Sequence, residues 1–249
     1  MLQIPTAPTT VDAENPIAVM QRFELKYILT REQARLLRQA MEGRMEPDQF
    51  GRTTIASLYY DTPDRRLIRA SLEKPEFKEK LRLRSYGPAT ETSPVYLELK
   101  RKALGTVYKR RVRTTVKEAA RFLDGDDAAL EAGQISRELT SFREHYGDLE
   151  PACLILYDRT AFVELGGDLR LTIDENPRFR REDLDLTRSG KGIPLLEKGC
   201  SILELKVQNA MPLWLAQTLS EARICKTSFS KYGEAYRREL AKRSLHRAS

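Results

Sequence analysis

The tripeptide Glu-Leu-Lys occurs three times in this sequence of 249 residues, as Glu24-Leu25-Lys26, Glu98-Leu99-Lys100 and Glu204-Leu205-Lys206. If each copy lies in a β-strand, its Glu and its Lys point to the same face, because side chains alternate along a strand. Carboxylate oxygens are the ligands that Mg²⁺ and Mn²⁺ prefer, and lysines bind phosphate. The repeat therefore indicates either three ordinary cross-strand ion pairs or a divalent-metal site among phosphate-binding cations.

Basic residues recur with the same period of two around these repeats. A solvated sheet face accounts for any one such strand. Several neighbouring strands of this kind are harder to explain, because like charges directly opposite each other destabilise a sheet unless an anion neutralises them. We therefore predict a sheet that curls around a lumen of Lys and Arg, with its apolar face covered by helices on the outside. The charged face carries Arg22, Glu24, Lys26, Lys80, Arg82, Arg84, Glu98, Lys100, Lys102, Lys109, Arg111, Arg113, Arg159, Arg170, Asp174, Glu204 and Lys206.

An α+β fold has to position these side chains. Helices are predicted after Thr30 and Thr115, because each begins a capping box that Gln33 or Glu118 completes. Further helices are predicted near residues 65–74, 212–222 and 230–243, and residues 175–199 are expected to be irregular. The eight predicted strands are Arg22–Leu29, Thr53–Asp61, Phe77–Tyr86, Pro94–Lys102, Thr106–Thr115, Ala152–Leu165, Leu169–Asp174 and Ser201–Val207.

Composition narrows the classes of function. The net charge of +7 favours an anionic partner, such as phosphates, nucleic acid or an acidic membrane face. Only two histidines are present, which argues against a histidine-based zinc site and against a Ser-His-Asp triad. The sequence lacks GxxxxGK[ST], which excludes a P-loop kinase. Three widely spaced cysteines favour a reducing compartment.

The chain is expected to form one soluble, cytoplasmic domain over residues 21–245, after a flexible lead at residues 1–20. No apolar run approaches the roughly 20 residues that a membrane helix needs. A position at the inner face of the membrane, through a separate membrane partner, stays open. So does the oligomeric state.

Nine segments, taken in order, resemble the VTC-type polyphosphate polymerase domain of the triphosphate tunnel metalloenzymes. Each segment alone is weak, but nine in one order, from about Arg22 to Tyr236, are specific. The resemblance implies an eight-stranded antiparallel β-tunnel with helices packed outside and a C-terminal helix. The segments are FELKY, SLYYDTPD, KLRLRSYG, YLELKRK, VYKRRVR, YDRTAF, LRLTID, LELKVQ and FSKY.

The resemblance also implies roles for individual residues. A Mn²⁺ or Mg²⁺ ion would be held by Glu204, with Glu98 or Glu24 nearby. The family often has Lys-Phe-Ser-Lys before its last helix, and here Ser228 replaces the first lysine. The implied catalytic cations are Lys26, Arg82, Arg84, Lys100, Lys109, Arg159 and Lys231, and the further substrate contacts are Arg111, Tyr157, Arg170, Lys206 and Ser230.

Three functions remain open at this stage. The first is a polyphosphate polymerase that moves the γ-phosphate of ATP onto a growing polyphosphate chain. The second is a tunnel triphosphatase or polyphosphatase with the same cations and a water nucleophile. The third is a non-catalytic polyphosphate-binding module, which lumenal carboxylates argue against. Nucleic acid is not expected as a partner, because no nucleic-acid-binding motif occurs.

Overall fold

A computed structural model describes residues 23–73, 75–104, 106–188, 190–207 and 210–247. The predicted lead at residues 1–20 lies outside this part of the chain. Nine strands and six α-helices follow one another in the described residues. The strands are β1 (Phe23–Leu29), β2 (Met45–Asp61), β3 (Phe77–Tyr86), β4 (Pro94–Ala103), β5 (Thr106–Thr115), β6 (Glu150–Glu164), β7 (Arg170–Arg180), β8 (Ile193–Pro194) and β9 (Ser201–Val207). The helices are α1 (Arg31–Met41), α2 (Arg66–Leu72), α3 (Val116–Leu123), α4 (Gln134–Tyr146), α5 (Leu213–Glu221) and α6 (Lys231–Arg247).

One antiparallel sheet organises the molecule. Its strands follow the order β1-β9-β7-β6-β2-β3-β4-β5, and the two-residue strand β8 pairs with β7. The predicted antiparallel α+β fold is therefore confirmed, but the barrel is not closed: β1 and β5 are edges that do not pair with each other in the described residues. The free edge of β1 is met by a segment just before α6, where Tyr27 bridges to Lys226 and the Thr227 N–H donates to the Lys26 carbonyl over 2.8 Å.

Both predicted capping boxes are present and fix where two helices begin. The Thr30 side chain accepts from the Gln33 N–H at the start of α1, and the Gln33 side chain accepts from the Thr30 N–H. Thr115 and Glu118 do the same at α3. Because each cap directly follows a strand, the helices turn back at once over the outer face of the sheet.

Helices cover the apolar outer face in two places. One hydrophobic cluster includes Leu83, Leu97 and Phe122 and joins β2–β6 to α3 and α4. A second includes Leu37 and Leu205 and joins β1, β7 and β9 to α1 and α5. These clusters are the arrangement that the alternating pattern predicts. None of the helices among the described residues combines the length and apolar composition needed to cross a lipid bilayer.

The helices were expected to pack outside the sheet, but the last helix, α6, packs on its inner face. Its residues Tyr232 and Tyr236 join a third cluster with Ile55, Tyr59 and Ile155, which lie on the inner faces of β2 and β6. On these two strands both faces are apolar, so the inner face also needs a cover. The helix supplies it and places its first turn next to the charged part of the interior.

The boundaries of β2 and β7 differ most from the prediction. Strand β2 begins at Met45 rather than at Thr53, and its pairing with β6 shifts between Pro47 and Arg52. Strand β7 continues to Arg180 through residues expected to be irregular, past Asn176, whose φ is 49°. Bulges interrupt the alternation of side chains in both places, so the sequence pattern there does not show a strand.

Candidate functional site

The curled sheet encloses a cavity of about 560 Å³. Seven strands and the segment before α6 contribute side chains to it, and most of the charged ones are basic. The cavity thus gathers groups that are far apart in the sequence. Its lining includes Glu24, Lys26, Tyr59, Lys78, Lys80, Arg82, Arg84, Lys100, Lys102, Lys109, Tyr157, Arg159, Glu204, Lys206, Lys226, Ser230, Lys231 and Arg237.

A row of three lysines crosses one wall of the cavity. Lys80 on β3 lies opposite Lys100 on β4, which lies opposite Lys109 on β5. Burial lowers the pKa of Lys80 to about 8, and the positive charges of Lys100 and Lys78 contribute to the decrease. The pKa of Lys100 is also lowered, mainly by burial. Positive charge is therefore costly on this wall until an anion arrives.

This wall gives a prediction about pH. Tripolyphosphate should bind less tightly as the pH rises through about 8, because Lys80 then loses its proton. A Lys80→Met variant should bind more weakly at neutral pH and show a flatter dependence on pH. Isothermal titration calorimetry on both proteins from about pH 7 to about pH 9 measures the difference.

The stability of the anion-free protein should change in the opposite sense. The pKa of folded Lys80, about 8, lies below its ordinary value of 10.5, so the folded state binds fewer protons between these values. The Lys80 contribution to the free energy of unfolding therefore rises as the pH increases from about 8 to 10.5. If tripolyphosphate binding depended on pH equally in wild type and in Lys80→Met, the predicted role of Lys80 in binding would be wrong.

Glu98 lies next to this row and is enclosed by cations. Only 1% of its side chain is exposed. Its Oε2 lies 2.7 Å from Arg82 Nη2 and 3.8 Å from Arg84 Nη1, and its Oε1 lies 2.8 Å from Lys109 Nζ. Burial alone would raise the pKa of Glu98, but Arg82, Arg84 and Lys109 together hold it at about 2. Glu98 is thus a fixed counter-ion that keeps two arginines side by side.

Glu24 and Glu204 form a second acidic group around Lys26. The Lys26 Nζ lies 3.0 Å from Glu24 Oε1 and 3.9 Å from Glu204 Oε2. Glu204 also lies 3.7 Å from Arg159 and 3.9 Å from Lys206. Burial raises the pKa of Glu24, but the charges of Lys26 and of Lys100 across the cavity outweigh it and bring the pKa to about 2.

This pair of carboxylates fits a divalent cation better than Glu98 does. Mg²⁺ is commonly held by one or two carboxylates together with substrate phosphate oxygens. Glu24 and Glu204 both neighbour one lysine and line the open cavity, whereas Glu98 already contacts three cations. Among the described residues no three Asp, Glu, His or Cys side chains converge, so substrate oxygens would have to complete the coordination.

Asp174 organises the cations near α6. It is fully buried, and its Oδ2 accepts from Arg159 Nη2 over 2.8 Å and from Lys231 Nζ at the start of the helix. The Lys231 Nζ lies 4.3 Å from the centre of the Tyr157 ring. Burial would raise the pKa of Asp174, but Lys231 and Arg159 lower it. One buried carboxylate therefore positions two cations from two different elements, β6 and α6.

Comparison with known protein families identifies the family of the domain that encloses this cavity. The profile of the VTC domain matches residues 21–239. The chain belongs to the VTC domain family. No curated protein sequence matches it, so the family assignment rests on the profile and not on a studied close relative.

Solved structures resemble this VTC domain in fold. A candidate adenylate cyclase from Bacillus halodurans has 16% identity and a TM-score of 0.52, and the match covers 83% of this chain and 92% of that one. A Hippeastrum protein, also described as a candidate adenylyl cyclase and reported to have a dominant triphosphatase activity, has 17% identity and a TM-score of 0.48 over 85% of this chain and 93% of that one. At such identities the Bacillus likeness shows the fold alone.

Most of the residues predicted for the site line the cavity of the VTC domain. Two that were predicted as substrate contacts do not. The Arg111 guanidinium stacks 4.9 Å from the Tyr96 ring, towards the far end of β5. Arg170 is exposed and pairs in register with Lys206 at the end of β7. In both cases the residue has the predicted strand face, but its side chain is exposed and does not line the cavity.

Three residues in or beside the cavity of the VTC domain were not among the predicted site residues: Tyr59, Lys80 and Asp174. The Tyr59 hydroxyl accepts from Arg82 Nη1 over 3.0 Å, and its ring stacks on Tyr232 at 4.6 Å. Burial raises the pKa of Tyr59, but Arg82 and Lys80 bring it down to about 8. The alternation that selected Arg82 also selects Lys80 and Asp174, so the signal was available for those two.

Proposed function

We propose that this VTC domain is a polyphosphate polymerase that moves the γ-phosphate of ATP onto the end of a polyphosphate chain, with Mn²⁺ or Mg²⁺ as cofactor. One observation carries the proposal: cations from β1, β3, β4, β5 and β6 face a single cavity, together with the carboxylates of Glu24 and Glu204. Phosphoryl transfer requires little beyond positioning and charge stabilisation, and this cavity offers both without histidine.

The length of the cationic wall favours a chain as substrate over an isolated triphosphate. The four successive cavity-facing positions of β3, namely Lys78, Lys80, Arg82 and Arg84, are all basic. At about 3.3 Å per residue they extend over about 20 Å. This is several times the spacing between neighbouring phosphorus atoms in a polyphosphate. Acceptor and donor phosphates can therefore lie in one line.

In the proposed reaction a terminal oxygen of the acceptor chain attacks the γ-phosphorus of ATP. The bond from this phosphorus to the β,γ-bridging oxygen breaks, and ADP leaves with the bond's electron pair. Arg82 and Lys100 hold the transferring group and offset the charge on its oxygens. Arg159, fixed by Asp174, does so from the other side of the cavity.

The metal would be held by Glu204 and Glu24. When bound, it would supply further positive charge to the phosphates and help to keep them in line. Lys26, between the two carboxylates, limits the negative charge that the incoming phosphates meet. A pure anion-binding module would gain nothing from carboxylates in this position.

The test is to incubate the purified protein with ATP and Mn²⁺ or Mg²⁺. The proposal predicts polymer that stains as polyphosphate on a gel, with ADP formed in equal molar amount to the phosphate incorporated. A Glu204→Gln variant, which removes one charge without changing the volume much, should lose the activity while still binding tripolyphosphate. Free phosphate without polymer would identify a hydrolase instead. If neither polymer nor free phosphate formed, the protein would be a binding module.

A further inference from the structure

The turn between β4 and β5 carries an exposed leucine at its tip. Leu104 is 80% exposed and has a φ of 48°. The left-handed backbone region suits Gly, Asn and Asp, and a bulky residue there is an outlier. Exposed turns also favour polar residues. Neither the turn nor the core of this domain therefore accounts for a leucine at this position.

Three further exposed apolar residues belong to the strand ends next to Leu104: Val107 on the cavity face of the sheet, and Phe77 and Tyr108 on the other face. Phe77, Val107 and Tyr108 are 54%, 48% and 48% exposed. Phe77 pairs in register with Ala103, Ala103 pairs with Thr106, and the Leu104 N–H donates to the Glu76 carbonyl over 3.2 Å. The ends of three strands are thus adjacent. We call Phe77, Leu104, Val107 and Tyr108 the hairpin tip.

Positive charge surrounds the hairpin tip. Residues 76–79, 101–104 and 106–110 include five basic and two acidic residues. Glu138 on α4 adds a third carboxylate, which pairs with Arg101 and Arg110, so basic residues still outnumber acidic ones. One of the acidic residues, Glu79, is buried and is contacted by Arg101 and by the Tyr146 hydroxyl, so it presents little charge to the outside. Apolar side chains with a basic rim are the composition that binds an anionic lipid surface.

A second exposed apolar region has acidic residues next to it along the chain. Leu165 and Leu213 are 52% and 73% exposed. Leu165 lies between β6 and β7, where its charged neighbours along the chain are Glu164 and Asp168. Arg44 also lies here, beside Leu165 and Trp214, so the charge of this region is mixed and attracts an anionic surface less than the hairpin tip does. Charge complementarity therefore selects the hairpin tip and leaves Leu213 as a natural control.

The hairpin tip also marks one end of the cavity. The cavity lining includes one tip residue, Val107. It also includes Lys78 and Lys102, which lie within two residues of Phe77 and Leu104. We propose that the hairpin tip docks this domain on an anionic membrane surface, with the Lys78–Lys102 end of the cavity next to the lipid. The docking does not depend on which reaction the cavity catalyses.

The experiment is co-sedimentation of the full chain with vesicles of phosphatidylcholine and phosphatidylserine, and with vesicles of phosphatidylcholine alone. The test variant combines Phe77→Ser with Leu104→Asn. Because Asn suits a positive φ better than Leu does, this variant should keep its fold, as circular dichroism and the activity assay check. Leu213→Ser is the matched control.

We expect the wild type to bind the phosphatidylserine vesicles and not the neutral ones, and to lose binding at high salt. The double variant should bind about tenfold more weakly, because two exposed apolar side chains no longer enter the lipid, and Leu213→Ser should match the wild type. The proposal is overturned if the wild type does not bind phosphatidylserine vesicles. Equal binding by the folded double variant, or equal binding to neutral vesicles, would overturn it too.

Discussion

Replacing Arg82 by alanine should lower kcat/KM for ATP by about 10² to 10³, the usual cost of removing one fixed charge that stabilises a transition state. The guanidinium joins Glu98 to the Tyr59 hydroxyl and lines the cavity at the middle of β3. Its loss removes the planar group that offers two parallel donors to a phosphate. It also leaves the buried Glu98 with Arg84 and Lys109 as its remaining cationic partners in the described residues.

Two further variants separate charge from geometry. Arg82→Lys keeps the charge without the planar fork and should recover only part of the activity. Arg110→Ala removes a cation from the opposite face of β5, where it pairs with the half-exposed Glu138, and should leave kcat/KM nearly unchanged. Steady-state production of ADP measures all three. If Arg82→Ala retained full activity in a folded protein, the assignment of this wall to phosphate binding would be wrong.

Replacing Asp174 by asparagine should destabilise the anion-free protein by about 3 to 5 kcal/mol, because the change leaves two partly buried cations without their carboxylate. Arg159 and Lys231 are 19% and 15% exposed and both contact Asp174. For a chain of this size the expected decrease in Tm is about 10 °C. Differential scanning fluorimetry in phosphate-free buffer measures it.

Tripolyphosphate should reverse part of this loss. An anion in the cavity can neutralise Arg159 and Lys231, so it should raise the Tm of Asp174→Asn by more than it raises the Tm of the wild type. The neighbouring Glu175→Gln breaks a surface pair with Arg38 and should cost at most about 1 kcal/mol. An Asp174→Asn protein as stable as Glu175→Gln would show that Asp174 does not hold these cations in place.

The sequence predicted best those parts of the fold in which alternation is uninterrupted. Strands β3 and β5 have the predicted ends, and β4 ends one residue later than predicted. Strands β3 and β4 have charged residues on one face and mostly apolar residues on the other, so only one placement buries the apolar set. The prediction was poorer for β2 and β7, where bulges near Pro47 and Asn176 break the period.

Sequence alone could not assign different roles to the carboxylates. Glu24, Glu98 and Glu204 occur in the same tripeptide, but strand register decides what each one faces. Glu98 lies between Arg82 and Arg111 in register, whereas Glu204 lies between Lys26 and Thr172. Only the pairing of strands shows that the first is a buried counter-ion and that the others surround Lys26.

The sequence pattern also did not predict that α6 lies on the inner face of the sheet. Its helical residues suggest a helix on the outside, as for α1 and α3. The decisive feature is a pair of strands with apolar residues on both faces, β2 and β6, which need an inner cover. Tyr232 fixes the helix there through a hydroxyl that donates to the buried Asp61 over 2.9 Å. This long-range contact is what brings Ser230 and Lys231 to the cavity.

The most direct test of the whole account is a crystal structure with a non-hydrolysable ATP analogue and Mn²⁺. If the cations face one interior in order to bind phosphates, the triphosphate should lie within hydrogen-bond distance of Arg82, Lys100 and Arg159. A triphosphate bound elsewhere on the molecule, with these three side chains turned into separate patches of solvent, would contradict it.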